Sequence, residues 1–315
     1  MRRKDLHSKT IAILGYGSQG RAIALNLRDS GYDVVMGLRS RSGSRRIAQK
    51  DGFIQIHTVS RAVAKSDIVC FAFPDHLHGR VYKKDIEKYL SPNSMLWFLH
   101  GMSIHFRFIV PPENCDVILI APHAPGAAVR EKYLSKSSFS AFYAVHRNNS
   151  GRALKTIFEL ARAVGIAKKG LVPTSFGAEV VGDMFGEQAV LCGGMATLIK
   201  SGFEVLVENG IPPENAYLEV AYQLDLIIDL IKQYGIEGMF KRISVAARYG
   251  SLLSGPKIID KSVKERMSKV YREIQSGRFP QKLNRLENAD ILRINRELKS
   301  LSSPLLEAAV RKFSR

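Results

Sequence analysis

Residues 10–20 read TIAILGYGSQG, and this stretch determines the architecture expected for the first half of the chain. Its apolar residues predict a buried strand over Thr10–Leu14, and the GxGxxG that follows opens a helix predicted over Gly20–Asp29. A second strand, predicted at Asp33–Leu38, completes the strand–loop–helix–strand unit in which this glycine pattern binds a dinucleotide. The predicted contacts are Gly15, Tyr16, Gly17, Ser18, Gln19 and Gly20, whose backbone can approach a pyrophosphate at the helix N-terminus.

The chain divides into two parts with different hydrophobic periodicity. Up to about residue 174, short apolar runs alternate with helical segments, which predicts a parallel, doubly wound sheet. Further strands are predicted at Ile68–Phe73, Met95–Leu99, Val117–Ile120, Ser140–Val145 and Ile166–Val172, and further helices at Ser60–Ala64, Val81–Leu90 and Ser150–Ala163. Long helices follow, predicted at Val180–Asn209, Ile211–Tyr234, Glu237–Tyr249, Val263–Gln275 and Glu287–Leu301. We therefore predict an α/β protein with a Rossmann-type domain (1–174) and an all-helical domain (175–315).

Glycines punctuate the predicted helices of the second part. Gly193, Gly194 and Gly202 lie inside one apolar stretch, where glycine costs stability, and we interpret them as sites of close helix packing. Gly235 is placed to cap the helix that precedes it.

Composition restricts the class of protein. Hydrophobic residues make up 45 % and charged residues 24 % of 315, which is typical of a globular protein. Three cysteines without CxxC spacing argue against a disulfide framework or a structural zinc site. No uninterrupted apolar run reaches about 18 residues, and the apolar stretch after Arg2, Arg3 and Lys4 is too short for a signal sequence. We expect a cytoplasmic protein without a membrane partner.

The net charge of +18 favours anionic partners. Because no nucleic-acid-binding motif accompanies this charge, we expect a phosphate-bearing cofactor rather than nucleic acid. The loop after the second strand reads RSRSGSRR at 39–46, without the carboxylate that accepts the ribose hydroxyls of NAD. Guanidinium and hydroxyl groups suit a 2′-phosphate, so we predict NADPH over NADH, with Arg39, Ser42 and Ser44 as candidate contacts. The pattern alone does not show which of the four arginines binds.

Acidic residues interrupt two apolar helices at helical spacing. Asp183 and Glu187 lie four apart, and Glu219 and Gln223 repeat this spacing in the next long helix. A buried carboxylate is costly unless it is paired or bound to a cation, and oxygen ligands suit Mg²⁺. Ordinary salt bridges at half-exposed positions explain the spacing equally well.

Several motifs together resemble those of the short, single-copy ketol-acid reductoisomerases over roughly residues 8–280. They are GYGSQG at 15–20, HGMSIHF at 100–106, APHAPG at 121–126, DMFGEQAVLCGG at 183–194, GFEVLVENGIPPENAY at 202–217 and IQSGRF at 274–279. The resemblance implies a knotted helical domain and a homodimer or higher homo-oligomer in which each site uses both chains. It also implies a Mg²⁺-dependent alkyl shift in a 2-acetohydroxy acid and hydride transfer from NADPH. The product would be a 2,3-dihydroxy acid on the path to branched-chain amino acids.

The resemblance also implies roles for individual residues. It makes His100, His123 and Glu187 catalytic and Ser244 a contact of the substrate carboxylate, and it adds Pro74 and Gly126 to the cofactor set. The implied metal ligands are Asp183, Glu187, Glu219 and Gln223.

Two of these positions depart from the family pattern. His123 stands where the family has lysine, and Gln223 where it has glutamate. Losing one cation and one anionic ligand weakens the electrostatic stabilisation that the alkyl shift needs. Three hypotheses stay open: a working reductoisomerase, a diverged NADPH-dependent reductase of a 2-keto acid or imine without the shift, and a non-catalytic nucleotide-binding protein.

Overall fold

The computed structural model describes residues 6–314, except for the side chains of 299–301. Arg2, Arg3 and Lys4 lie outside the described residues. The chain forms two compact units: the first extends to Gly182 and includes Pro280–Arg285, and the second comprises Asp183–Phe279 and the residues from Leu286 onward. The domain boundary after residue 174 stays a prediction.

The first unit is built on an eight-stranded sheet. Its strands are β1 (Thr10–Leu14), β2 (Asp33–Gly37), β3 (Ile56–His57), β4 (Ile68–Phe71), β5 (Met95–Phe98), β6 (Asp116–Pro122), β7 (Ala141–Arg147) and β8 (Leu171–Pro173), and their order is β3-β2-β1-β4-β5-β6-β7-β8. The first six strands in this order have the arrangement of a dinucleotide-binding sheet, with the topological switch between β1 and β4. The predicted Rossmann-type architecture is therefore confirmed, although β3 escaped sequence analysis because it has only two residues.

The prediction of an all-parallel sheet is wrong at β7, which pairs antiparallel with β6. Ala141, the first residue of β7, lies beside Pro122, the last residue of β6. The chain thus re-enters the sheet beside the carboxyl end of β6, and a strand that starts there must run antiparallel to β6.

Helices cover both faces of this sheet. They are α1 (Ser18–Asp29), α2 (Ser44–Lys50), α3 (Val59–Ala64), α4 (His78–Val81), α5 (Met102–His105), α6 (Gly126–Leu134) and α7 (Ala153–Ala163). Along β1, Ile11 and Ile13 join the core layer under α1 and α7, while Ala12 and Leu14 join the layer under α3. The alternation follows from the two-residue period of a strand, and it explains why the strands are apolar throughout. The helix predicted at Val81–Leu90 is instead a π turn, Tyr82–Ile86, followed by a 3₁₀ turn, Glu87–Tyr89.

The remaining helices confirm the all-helical second part. They are α8 (Phe176–Gly186), α9 (Gly193–Glu208), α10 (Pro213–Tyr217), α11 (Leu224–Phe240), α12 (Val245–Ile258), α13 (Lys261–Gln275), α14 (Arg278–Asn284), α15 (Asn288–Leu301) and α16 (Pro304–Phe313). Gly235 has a φ of 71° and breaks α11 where a cap was predicted. The single helix predicted at Glu237–Tyr249 is wrong, because Ser244 starts a new helix by accepting a hydrogen bond from the Ala247 N–H at 3.1 Å.

One continuous helix, Phe176–Glu208, combines α8, a π turn and α9. Among the described residues it is the one helix long and apolar enough to cross a membrane, contrary to our expectation of none. The expectation failed because occasional polar residues interrupt the apolar run without making the segment polar on average. One such helix is a weak indication, because core helices of soluble proteins share its length and composition.

Candidate functional site

The glycine loop lies at the switch point of the sheet. Gly15 follows β1 with a φ of 99°, and a Cβ there would lie 2.5 Å from the Ala72 carbonyl oxygen. Only glycine fits both constraints. Gly17 precedes the first residue of α1 and has no side chain to cap this helix. The N–H groups of the first turn can therefore serve an anionic ligand.

A cavity of about 520 Å³ opens over this loop. Its lining contains the predicted residues Gly15, Tyr16, Gly17, Ser18, Gln19, Arg39, Ser42, Ser44 and Pro74. It also contains Val59, Phe73, Leu77 and Val81, which sequence analysis did not identify. Phe73 could have been found, because it follows β4, the strand across the switch point from β1. The cavity thus has glycines and a helix N-terminus on one side and an arginine with two serines on another, which fits a dinucleotide that carries an additional phosphate.

Two predicted cofactor residues, Gly20 and Gly126, are absent from this lining and have packing roles. A Cβ on Gly20 would lie 2.7 Å from the Gly15 carbonyl oxygen. Gly126 begins α6, and a Cβ there would lie 2.2 Å from the Ser18 carbonyl oxygen. Gln19 fixes the same junction by donating a hydrogen bond to the Ala124 carbonyl at 2.7 Å. Both glycines therefore shape the loop through close backbone contact.

The four arginines after β2 have different environments. Arg45 donates hydrogen bonds to the carbonyl oxygens of Leu38, Ile56 and His57, at 3.2, 3.0 and 3.2 Å respectively. Its guanidinium group therefore holds β2 and β3 together. Arg39 is exposed and is the arginine of this loop that lines the cavity. Among the four, it is the one placed to contact a 2′-phosphate.

His100 follows β5 and forms a polar cluster with the half-buried Asp75 and the buried His78. Its Nδ1 lies 3.4 Å from Asp75 Oδ1, and Nδ1 of His78 lies 3.6 Å from the same oxygen. Burial opposes ionisation of Asp75, but the hydrogen bond from His100 lowers the pKa of this carboxyl below its ordinary value. Asp75 is thus an ionised acceptor that orients the His100 ring. Sequence analysis missed it because Asp75 and His100 are far apart along the chain.

His78 is held in one tautomer. Its Nε2 lies 2.8 Å from the Phe73 carbonyl oxygen, which can only accept, so Nε2 carries the proton. Nδ1 then accepts from the Ser103 hydroxyl at 2.9 Å. Burial lowers the pKa of His78, so this imidazole is neutral at physiological pH.

The turn that carries His100 is held in place by a buried carboxylate from α8. Glu179 is buried in the first turn of α8, and its Oε2 accepts a hydrogen bond from the Gly101 N–H at 2.6 Å. A Cβ on Gly101 would lie 2.2 Å from the Phe176 carbonyl oxygen, so glycine is required next to His100. Glu179 was not predicted to have a role in the site.

His123 lies just beyond β6 and is exposed. Its Nδ1 lies 3.1 Å from the Ser140 hydroxyl, and its ring packs edge-on against Phe142 with 4.3 Å between the ring centres. These contacts fix a ring that can supply a hydrogen bond, but an imidazole lacks the permanent charge of a lysine.

The candidate metal ligands lie at irregular points of their helices. Glu187 begins a π turn, Glu187–Leu191, in which its carbonyl accepts from the Cys192 N–H at 3.0 Å. Glu219 lies inside a second π turn, Leu218–Tyr222. Such turns are rare and occur frequently at functional sites. Gln223 donates from Nε2 to Glu219 Oε2 at 3.1 Å, so its amide group is already engaged with the neighbouring carboxylate.

The expected cluster of buried carboxylates is not formed by one chain. Asp183, Glu187, Glu219 and Gln223 are all exposed. Within residues 6–314, no three His, Cys, Asp or Glu side chains are grouped closely enough to hold a metal ion. Of the two interpretations of this spacing, burial is not seen in the single chain, because the helices that carry these residues have uncovered faces. The donors suit a hard divalent cation in their chemistry, but one chain does not bring them together.

Ser244, the predicted substrate contact, is the N-cap of α12. Its hydroxyl oxygen accepts from the backbone, so the O–H remains able to donate to a ligand.

Comparison with known proteins agrees with this architecture. Residues 5–170 match the family described as acetohydroxy acid isomeroreductase, NADPH-binding domain, and residues 176–312 match the ketol-acid reductoisomerase C-terminal domain. The ketol-acid reductoisomerase (NADP(+)) of Pyrococcus abyssi is 44 % identical over 98 % of this chain and 92 % of its own length. The enzyme of the same name from Petrotoga mobilis is 48 % identical over 87 % of this chain and 83 % of its own length.

A solved structure agrees as well. The NADH-preferring ketol-acid reductoisomerase from an uncultured archean superposes with a TM-score of 0.91 and 37 % identity, over 98 % of this chain and 94 % of that one. Family models thus cover almost the whole chain, and relatives match it well above the identity at which only a fold is shared. The chain belongs to the ketol-acid reductoisomerase family.

Proposed function

We propose that the protein is an NADPH- and Mg²⁺-dependent ketol-acid reductoisomerase, which converts a 2-acetohydroxy acid into a 2,3-dihydroxy acid in branched-chain amino-acid biosynthesis. The observation that carries this proposal is the cavity over the glycine loop, in which a helix N-terminus, Arg39 and two serines meet. This lining suits a dinucleotide with a 2′-phosphate. Membership of the family supplies the reaction.

The choice of NADPH rests on residues of this chain. Curated relatives carry NADP(+) in their names, whereas the solved relative is titled NADH-preferring, so the family does not settle the cofactor. Among the described residues, those that line the cavity include Arg39 and no acidic side chain. A carboxylate there would repel the 2′-phosphate, and a guanidinium group attracts it.

His100 is the candidate acid–base residue. Asp75, held ionised, accepts from its Nδ1 and thereby favours the tautomer in which Nε2 can accept a proton. The hydrogen bond between Glu179 and Gly101 fixes the backbone next to this ring. By restraining this backbone, the hydrogen bond helps to keep the imidazole in position for proton transfer.

We propose that Mg²⁺ is held by Asp183 and Glu187 of one chain together with Glu219 of a second. When bound, it would stabilise the charge that develops on the substrate oxygens. Homodimerisation is supported by the apolar side chains that the second unit leaves exposed. They include Val190, Leu191, Leu198, Val205, Tyr222, Leu226, Ile236, Tyr249, Leu252, Leu253 and Ile258. Covering these faces would bury the carboxylates among them, which is one of the two interpretations of their spacing. We therefore propose a soluble, cytoplasmic homodimer or higher oligomer.

A second function is favoured by the altered positions. His123 provides no permanent positive charge, and Gln223 directs its amide N–H to Glu219 instead of adding an anionic ligand. A protein with these residues could reduce a 2-keto acid with NADPH without performing the alkyl shift. Hydride transfer needs less stabilisation of developing charge than the shift does.

One assay distinguishes these functions. NADPH oxidation is followed with Mg²⁺, first with 2-acetolactate and then with 3-hydroxy-3-methyl-2-ketobutyrate, the compound that the shift would produce. We expect turnover of both substrates, because the cofactor cavity and three carboxylates are retained.

Turnover of the second substrate alone would replace the proposed function with the reductase. Inactivity with both, while NADPH still binds, would indicate another substrate or a non-catalytic protein. The matched control is Glu187→Gln, which preserves the shape of the side chain but removes an anionic ligand; it should abolish turnover of 2-acetolactate.

A further inference from the structure

A carboxylate outside the cofactor cavity binds the glycine loop. Asp51 immediately follows α2 and is not among the cavity-lining residues. Its Oδ2 accepts a hydrogen bond from the Tyr16 hydroxyl at 2.8 Å. Arg21 of α1 donates to both of its oxygens, at 2.7 and 2.9 Å. The glycine loop, the first turns of α1 and the end of α2 therefore meet at one side chain.

The chemistry of the pair favours a strong hydrogen bond. The Tyr16 ring is only 5 % exposed and packs edge-on against Phe53, and burial raises the pKa of its hydroxyl, so this group stays protonated and donates. The hydrogen bond from Arg21 lowers the pKa of Asp51, so the acceptor stays ionised. Hydrogen bonds to an ionised acceptor are about twice as strong as neutral ones.

This bond joins two walls of the cavity. Tyr16 belongs to the loop expected to hold the pyrophosphate. Asp51 ends the segment that begins with Arg39 and contains Ser42 and Ser44, the residues expected to hold the 2′-phosphate. Arg28 secures the same point by donating to the Asp51 carbonyl, and its guanidinium group lies over the Phe53 ring, 4.9 Å from the ring centre.

We propose that Asp51 is a positioning residue that sets the affinity for the cofactor, by holding Tyr16 and the 39–51 segment at the separation that one dinucleotide spans. This inference rests on the proposed function, since it assumes that NADPH binds in the cavity. Asp51 does not line the cavity, so it would act through the free energy of organising the loop before the cofactor binds.

The test is a double-mutant cycle on NADPH binding, measured by calorimetry on the full-length protein. Asp51→Ala should raise the Kd for NADPH about five- to tenfold, and Tyr16→Phe about three- to fivefold, which are the effects of losing a charge-assisted hydrogen bond. The double variant should bind like Asp51→Ala alone, because Asp51→Ala already breaks the hydrogen bond that Tyr16→Phe removes. At saturating NADPH, the kcat of Asp51→Ala should change less than about twofold.

Asp29→Ala is the matched control. Asp29 is also a carboxylate of the α1 region with two arginine partners, Arg130 at 2.6 Å and Arg28 at 3.2 Å, but it does not contact the glycine loop. This variant should change the Kd less than about twofold, because Arg28 donates to the Asp51 carbonyl through Nη1, which does not bind Asp29. Hydrogen exchange of the segment containing Tyr16, measured without cofactor, should accelerate in Asp51→Ala and not in Asp29→Ala, which separates loss of positioning from general unfolding.

Additive effects of the two changes, or an equal loss of affinity in Asp29→Ala, would overturn the inference while leaving the proposed function intact. Failure of the unsubstituted protein to bind NADPH would overturn the proposed function, and the inference with it.

Discussion

Arg39 and Arg45 look alike in the sequence, yet their guanidinium groups have different tasks. Arg45 is occupied by three carbonyl oxygens, two of them from β3, a strand too short to be predicted. Arg39 faces the cavity. The sequence could identify a phosphate-binding loop from its composition, but it could not rank the arginines, because their partners come from a distant segment.

Arg39→Ala should therefore raise the KM for NADPH about tenfold. This is the effect expected when a hydrogen bond to a charged group is lost at a site that is partly exposed to solvent. The KM for NADH should change little, because NADH lacks the 2′-phosphate. Steady-state kinetics with both cofactors measure the ratio. Arg41→Ala is the control, since Arg41 is an exposed arginine of the same loop outside the cavity lining. An equal effect of both substitutions would show that the charge of the loop matters rather than one contact.

The other candidate residues also fall into two groups: some could be identified from the sequence, and others could be recognised only from their contacts in the structure. His100, Asp183 and Glu187 could be identified because each lies within a characteristic sequence motif. Asp75 and Glu179, which orient His100 and its turn, left no pattern. Their importance depends on a distance across the fold, and a single sequence does not contain that distance.

Gly193 and Gly194 show how a helix can require glycine for an internal reason. We interpreted them as sites of close helix packing, but Cβ atoms there would lie 2.3 and 2.2 Å from the carbonyl oxygens of Gln188 and Ala189 in the preceding turn. The π turn that begins at Glu187 creates this crowding. Gly202 does lie near a neighbouring element, since a Cβ would make ordinary contact with Val220 at 3.5 Å. The packing interpretation suits Gly202 alone.

Gly194→Ala should thus lower the stability by about 1–3 kcal/mol, the usual cost of inserting a methyl group into a filled space. Gly182→Ala, in the same long helix, should raise it by up to about 1 kcal/mol, since a Cβ there meets nothing and alanine favours the helix. Denaturant unfolding at one protein concentration measures both. A stabilising Gly194→Ala would show that the π turn does not need glycine.

Most elements were predictable because hydrophobic period and glycine position are local properties. The direction of β7 was not, since an apolar strand reads alike in both directions and its orientation depends on the edge at which the chain returns. The breaks around Glu187 and Leu218 were also hidden, because a π turn has nearly the side-chain pattern of the α-helix that surrounds it.

The two units of the chain differ in how many of their apolar side chains stay exposed to solvent. The first has a core on both sides of its sheet, whereas the second exposes many apolar side chains together with its carboxylates. A second copy that covers those faces would account for both observations, and an active site shared between chains has a direct genetic test.

Co-expression of Asp183→Asn and Glu219→Gln chains provides it. Each variant alone should be inactive, because every site lacks one ligand. In a mixed dimer, one site has both defects and the other has none, so random mixing should restore about a quarter of the normal activity. If all ligands came from the same chain, every site would carry a defect and no activity would return. Equal co-expression of two Asp183→Asn chains with different tags is the control.

The exposed apolar faces of the second unit also determine what a melting temperature of this protein means. If association covers them, unfolding and dissociation are coupled in one equilibrium. The melting temperature then rises with protein concentration, by mass action. Thermal data on variants are then comparable only at matched molarity, and strong dilution should act on the enzyme as a mild denaturant.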